Sequence, residues 1–100
     1  AAPFRERLQR KCLQLLEYVG EYWEGQGDSR QAIIWYEKGI EIDSVAEPLY
    51  LRLMRCYLHL GWKAEVARVY GRCRDSLAGA LGLKPSARLQ QMYDELNADG

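Results

Sequence analysis

Apolar residues recur every three to four positions from one end of the chain to the other, and strand-like alternation is absent from the pattern. The first stretch, about Pro3 to Gln26, sets Phe4, Leu8, Cys12, Leu15, Leu16, Val19 and Trp23 along one side of a helix. Gly25-Gln26-Gly27 breaks it, because two glycines in three residues withdraw local support from a helix. Asp28 then reads as an N-cap with Gln31 in the partner position of a capping box, opening a second helix to about Ile42 that carries Ala32, Ile33, Tyr36 and Ile40. Ser44 and Glu47 read as another capping box, with Pro48 in the first turn, where its missing N–H does little harm. The third helix carries Leu49, Leu53, Cys56, Tyr57 and Leu60 and stops at Gly61. A fourth, about Lys63 to Leu81, turns Val66, Ala67, Tyr70, Cys73, Leu77 and Leu81 inward and stops at Gly82. Lys84-Pro85 enforces an extended link, and Ser86 caps a short fifth helix bearing Leu89, Met92, Tyr93 and Leu96.

Sliding the chain against itself by 34 residues superposes Leu15 on Leu49, Trp23 on Tyr57, Gly27 on Gly61 and Tyr36 on Tyr70, with Val19 on Leu53 and Ala32 on Val66 as softer matches. That period is the one expected of helix–turn–helix tetratricopeptide repeats. In this register Gly20, Ala32 and Gly39 let paired helices approach closely, while Trp23, Tyr36, Tyr57 and Tyr70 fill the gaps between hairpins. The second repeat is degenerate: Tyr50 and Met54 stand where the aromatic and the glycine of the first helix belong, Cys73 replaces a small residue, and Ser44 takes the place of a proline. The fold class is therefore all-α. Tandem antiparallel helix hairpins form two tetratricopeptide-like repeats, at about 13–46 and 47–80, followed by a short C-terminal capping helix at about 86–97. The whole of 1–100 reads as one domain cut from a longer regulator.

Charge and cysteine content narrow the function classes. The 14 basic residues are matched by 14 acidic ones, whereas a domain that grips nucleic acid unaided carries a basic excess to neutralise phosphates. No apolar run approaches the roughly 18 residues of a membrane span. The three cysteines, Cys12, Cys56 and Cys73, are odd in number and far apart, which argues against a disulfide framework or a zinc site and for buried free thiols in a reducing cytoplasm.

The second half of the chain carries a narrower signature. Residues 48–96, from Pro-Leu-Tyr-Leu-Arg-Leu-Met-Arg through Leu81-Gly82-Leu83-Lys84-Pro85-Ser86 to Tyr93-Asp94-Glu95-Leu96, resemble the bacterial transcriptional activator domain. This is the tetratricopeptide-like module that follows a winged-helix DNA-binding domain in antibiotic-regulatory activators. Arg5 to Leu8 resembles the start of that family's middle hairpin, so the likeness spans about Arg5 to Leu96. It implies a regulatory or oligomerisation segment whose DNA recognition lies elsewhere in the parent chain. A generic tetratricopeptide scaffold, binding a peptide or protein outside transcription, is the alternative.

Catalysis fails on inventory. His59 is the only histidine, and Ser29, Ser44 and Ser86 fall where helix caps belong. Gly79 to Gly82 follows a helix and lacks the Gly-Lys-Ser/Thr pattern of a phosphate loop. No cofactor or metal is expected. Repeat arrays bind partners on the face lined by each hairpin's first helix. In this register that face presents Gln14, Glu17, Glu21 and Glu24, then Leu51, Arg55, Leu58 and His59. Glu17, Glu21, Glu24, Arg55 and His59 are the candidate partner-binding residues. The acids repel an anionic peptide terminus and suit a basic or mixed-charge partner. Arg5, Arg7, Arg10 and Lys11 crowd the start of the first helix while acids crowd its end, against the helix dipole. Either neighbouring helices outweigh that modest effect or the basic end meets something acidic. Arg52, Arg55, Arg68, Arg72 and Arg74 are candidates to extend the basic surface. An open-ended repeat also leaves an apolar flank uncapped, so weak self-association is expected.

Overall fold

The computed structural model describes the backbone of residues 2–99 and the side chains of residues 3–96. The described residues form five helices: α1 (Ala2–Gly25), α2 (Ser29–Ile42), α3 (Glu47–Leu60), α4 (Lys63–Leu81) and α5 (Ala87–Asp99). Each packs principally on its chain neighbours, so α1–α2 and α3–α4 form antiparallel hairpins with α5 against the second. The molecule measures 48 × 35 × 17 Å, a slab of about two helix layers.

The breaks follow from glycine chemistry. Gly27, Gly61 and Gly82 adopt φ of 77°, 76° and 64°, the left-handed region that side chains with a Cβ avoid. At Gly61 and Gly82 the cap N–H returns to carbonyls of the last turn. Asp28 caps α2 by accepting the Gln31 N–H at 3.0 Å, and Ser86 caps α5 by accepting the Leu89 N–H at 3.3 Å. The expected Ser44–Glu47 box does not form. The N-cap of α3 is Ala46, with no side-chain cap. The Ser44 carbonyl instead accepts the Tyr50 hydroxyl at 2.7 Å, Asp43 takes the Val45 N–H, and Glu47 reaches the Ser86 N–H at 2.8 Å. The longer-range partner wins because Glu47 thereby ties α3 to the link preceding α5.

The core is continuous across both repeats: Ala32, Tyr36 and Ile40 of α2, six residues of α3 from Leu49 to Tyr57, Val66 to Leu77 of α4, and Leu89 and Leu96 of α5. Tyr50 and Met54, the departures from the repeat pattern, are fully buried. Two expectations fail. Leu81 is exposed, since it occupies the last turn of α4, beyond the reach of α3. The broad apolar side of α1 faces solvent: Phe4, Leu8, Cys12 and Leu15 are exposed, and α1 meets its neighbours along a narrower line through Leu13, Gly20 and Trp23.

Gly20 explains the narrow line. A Cβ there would fall within 2.7 Å of three atoms of the Tyr36 ring, and one at Gly39 would lie 2.6 Å from Leu49 Cδ1. Gly20→Ala should therefore destabilise the fold by about 1–3 kcal/mol through overpacking. Gly25→Ala, where a Cβ meets nothing within 4 Å, is the matched control and should be near neutral. Urea denaturation midpoints of the two variants give the comparison, and equal midpoints would contradict the tight fit at Tyr36.

Candidate partner-binding face

The first helices of the two hairpins, α1 and α3, lie side by side and are joined by charge. Arg52 bridges Glu17 at 2.9 Å and also pairs with Glu21. One turn further along, the Arg55 guanidinium holds Glu24 with both Nε (3.0 Å) and Nη2 (2.8 Å). The buried Tyr36 ring reaches between the helices from α2 and donates its hydroxyl to the same Glu24 carboxylate. Arg52 also lies over the Tyr36 ring, 5.9 Å from its centroid. Acids of α1 and arginines of α3, each spaced by about one turn, thus form an ion-pair ladder across the hairpin junction.

Four of the sequence candidates fall in or beside this ladder, with Glu24 and Arg55 in direct contact. His59 is exposed one turn beyond Arg55 on α3. Arg52 and Tyr36 are the members that sequence reasoning missed, one assigned to a basic surface and the other to the core. The complementary one-turn spacing of acids in one first helix and arginines in the next was the available signal.

Arg68, Arg72 and Arg74, named with Arg52 and Arg55 as extending the basic surface, are also engaged. Arg72 of α4 makes a two-pronged pair with Glu37 of α2 at 2.7 and 2.8 Å, stapling the two second helices as the ladder staples the first. Arg68 meets Glu65, and Arg74 meets Asp75, both at 3.3 Å. The acids at the end of α1 run against its dipole because the α3 arginines outweigh that effect. Beside the ladder, Glu47, Pro48, Leu51, Ser86, Arg88 and Leu89 line a shallow cavity of about 340 Å³ where α3 meets α5. Among the described residues no cluster of three or more His, Cys, Asp or Glu side chains is arranged to hold a metal ion, and no helix is long and apolar enough to cross a membrane.

Glu24 is the polar centre of the junction. Burial pushes its carboxyl pKa up, but hydrogen bonds from Arg55 and Tyr36, then the charges of Arg55 and Arg52, outweigh burial and hold it below the usual carboxylate value. A folded pKa below the unfolded one means that the carboxylate stabilises the fold at and above neutral pH. That contribution fades as pH falls below about 4.5 and is gone once the folded pKa is passed. Glu24→Gln should lower stability at pH 7 by about 1–2 kcal/mol, a figure kept small by partial solvent screening. It should also flatten the acid limb of a stability–pH curve. A variant whose acid limb matches that of the wild type would remove Glu24 from the account.

The thiols divide by position. Burial pushes both Cys56 and Cys73 up to about 12, leaving them protonated and shielded, whereas Cys12 is exposed and so departs from the buried-thiol expectation. A thiol reagent at about 1 µM protein should label Cys12 alone until denaturant is added. Rapid labelling of more than one thiol in the native state would contradict this packing.

No curated protein and no solved structure matches the chain significantly. The sequence profile described as the bacterial transcriptional activator domain matches residues 1–97, covering both hairpins, the ladder and most of α5. The chain belongs to the bacterial transcriptional activator domain family, a helical domain associated with transcription regulators.

Proposed function

We propose that this domain is the regulatory, protein-contacting part of a bacterial transcription regulator, with DNA recognition carried by another segment of the parent polypeptide. The face of α1 and α3 is its partner-binding surface. The observation that carries this reading is the self-neutralised ladder: Glu17, Glu21 and Glu24 already hold Arg52 and Arg55, so the face offers phosphates no block of free cations. Exposed His59, half-buried Leu51 and Leu58, and the open edges of Glu21 and Arg55 remain for a partner. That mixture suits a protein segment of mixed charge, whose cations share Glu21 with Arg52 and whose apolar side chains rest on the leucines. Free thiols fit work in a reducing cytoplasm.

The test is made in the parent regulator with Glu21→Gln and His59→Ala, which remove partner contacts while leaving the Glu24–Arg55 pair intact. Transcriptional output from a reporter should fall by about fivefold or more, the size of one interface contact. Affinity for the operator and the thermal midpoint should be unchanged. Undiminished output would refute the assignment of this face. A salt-sensitive shift of duplex DNA by the isolated 1–100 chain would replace it with direct nucleic-acid binding.

A further inference from the structure

The cavity between α3 and α5 opens beside the ladder and differs from it in chemistry. Its floor is apolar, made by Pro48, half-buried Leu51 and buried Leu89, and its volume of about 340 Å³ lies at the small end of the range for binding pockets. Its rim is polar and only partly used. One oxygen of Glu47 accepts the Ser86 N–H at 2.8 Å, and the other has no partner among the described residues. The Ser86 hydroxyl accepts the Leu89 N–H, which leaves its own proton to donate. Arg88 is exposed, and no acid among the described residues lies within ion-pair distance of it.

Charge separates across this face. The α5 side is positive: residues 82–93 hold Lys84 and Arg88 and no acid, and Asp94 and Glu95 beyond them are taken by Gln90 and Gln91. The α1 side offers Glu21, the most open acid of the ladder. Leu51 of the cavity precedes Arg52, the residue that holds Glu21, so cavity and ladder meet at one level of α3. Neighbouring helices pack about 8–10 Å apart, which sets the cavity roughly 15 Å from Glu21. Roughly four to five extended residues cover that span.

We propose that the α3–α5 cavity is the anchor subsite for an extended segment of a partner protein. One leucine-sized side chain of the segment rests on Pro48, Leu51 and Leu89, and a carboxylate next to it pairs with Arg88. The backbone N–H at the anchor meets the open oxygen of Glu47, and a cation roughly four residues away reaches Glu21. The segment therefore lies with its acid over α5 and its cation over α1. The rim selects for this chemistry because it asks for a donor and an anion side by side. A helical partner keeps its N–H groups inside its own ladder, and a free apolar acid brings the anion without the donor. This inference rests on the reading of the α1–α3 face as the partner-binding surface and adds the site that orients the partner on it.

The probe is the N-acetylated, C-amidated peptide Lys-Gly-Gly-Ser-Leu-Asp-Gly, titrated to about 2 mM into isotopically labelled protein and followed by amide chemical shifts. The amides of Leu51, Ser86, Arg88 and Leu89 should shift with a dissociation constant of a few hundred micromolar, as expected of about one buried side chain and one exposed ion pair. Serine in place of the probe's leucine should abolish the shifts. Arg88→Glu, at an exposed position without a partner in the fold, should weaken binding about fivefold at an unchanged thermal midpoint, and a probe with lysine in place of its aspartate should restore it. Isocaproate, which has the branched chain and the acid but no N–H, should bind at least tenfold more weakly. No shifts at the highest concentration, or wild-type affinity in Arg88→Glu, overturns the proposal. Isocaproate binding as tightly as the peptide assigns the cavity to small apolar acids and also overturns it. The two readings fail separately. Shifts confined to Glu21 and His59 overturn the anchor alone, whereas anchor shifts with undiminished reporter output in the Glu21→Gln, His59→Ala regulator overturn the wider face alone.

Discussion

The junction of the two hairpins depends on one ring. Tyr36 fits because Gly20 has no side chain, and the closeness that glycine permits lets the ring pass under α1 and present its hydroxyl at the α1–α3 groove. There it meets Glu24, whose other contacts are the two nitrogens of Arg55. One buried aromatic therefore joins three helices, apolar along its ring and polar at its tip. Without the approach at Gly20, Glu24 loses a donor and Arg55 a well-placed acceptor, and the helices on either side of the groove lose their register. The equivalent residue of the second repeat, Tyr70, works the same way toward the next helix. It stacks on Tyr93 of α5 with ring centroids 4.2 Å apart and donates to Gln90. Met54, buried where Gly20 stands in the first repeat, shows that the second repeat can fill this position with a side chain.

This arrangement explains why a chain with 28 charged residues presents so little free charge on its α1–α3 face. The arginines of α3 and α4 are used internally, Arg52 and Arg55 across the first helices and Arg72 across the second. Exposed ion pairs contribute little to stability singly, but a ladder along a helix junction fixes which turn of α3 faces which turn of α1. Its value lies in register and in the neutral face it leaves, more than in free energy. Glu24 differs because burial makes its hydrogen bonds matter.

Much of the fold was legible because its signals are local. Gly61, Gly82, Asp28 and Ser86 act within a few residues of themselves, so the helix boundaries and most caps could be read directly. The 34-residue offset was legible because packing at Tyr36 and Tyr70 repeats. Ser44 was misread for the opposite reason: its carbonyl is taken by Tyr50 and Glu47 is drawn to Ser86, 39 residues away. The candidate site was legible as a set of residues on one face but not as a network. Periodicity says that Glu17, Glu21 and Glu24 share a side, and only the tertiary structure says that Arg52 is there to meet them. Likewise, periodicity finds the apolar stripe of α1 without telling which way it points.

That last ambiguity has a physical origin. A helix needs only a narrow line of contact when one position is glycine, since close approach substitutes for breadth of side-chain burial. α1 meets α2 in this way, with Leu13, Gly20 and Trp23 along the contact. Its wider apolar arc, rich in Leu and Tyr, is therefore not needed to hold the hairpin together and remains for something else. The inner line and the outer arc thus answer to different requirements. The inner line sets how the hairpin closes, while the outer arc of Phe4, Leu8, Leu15, Tyr18 and Tyr22 takes no part in that closure and stays exposed.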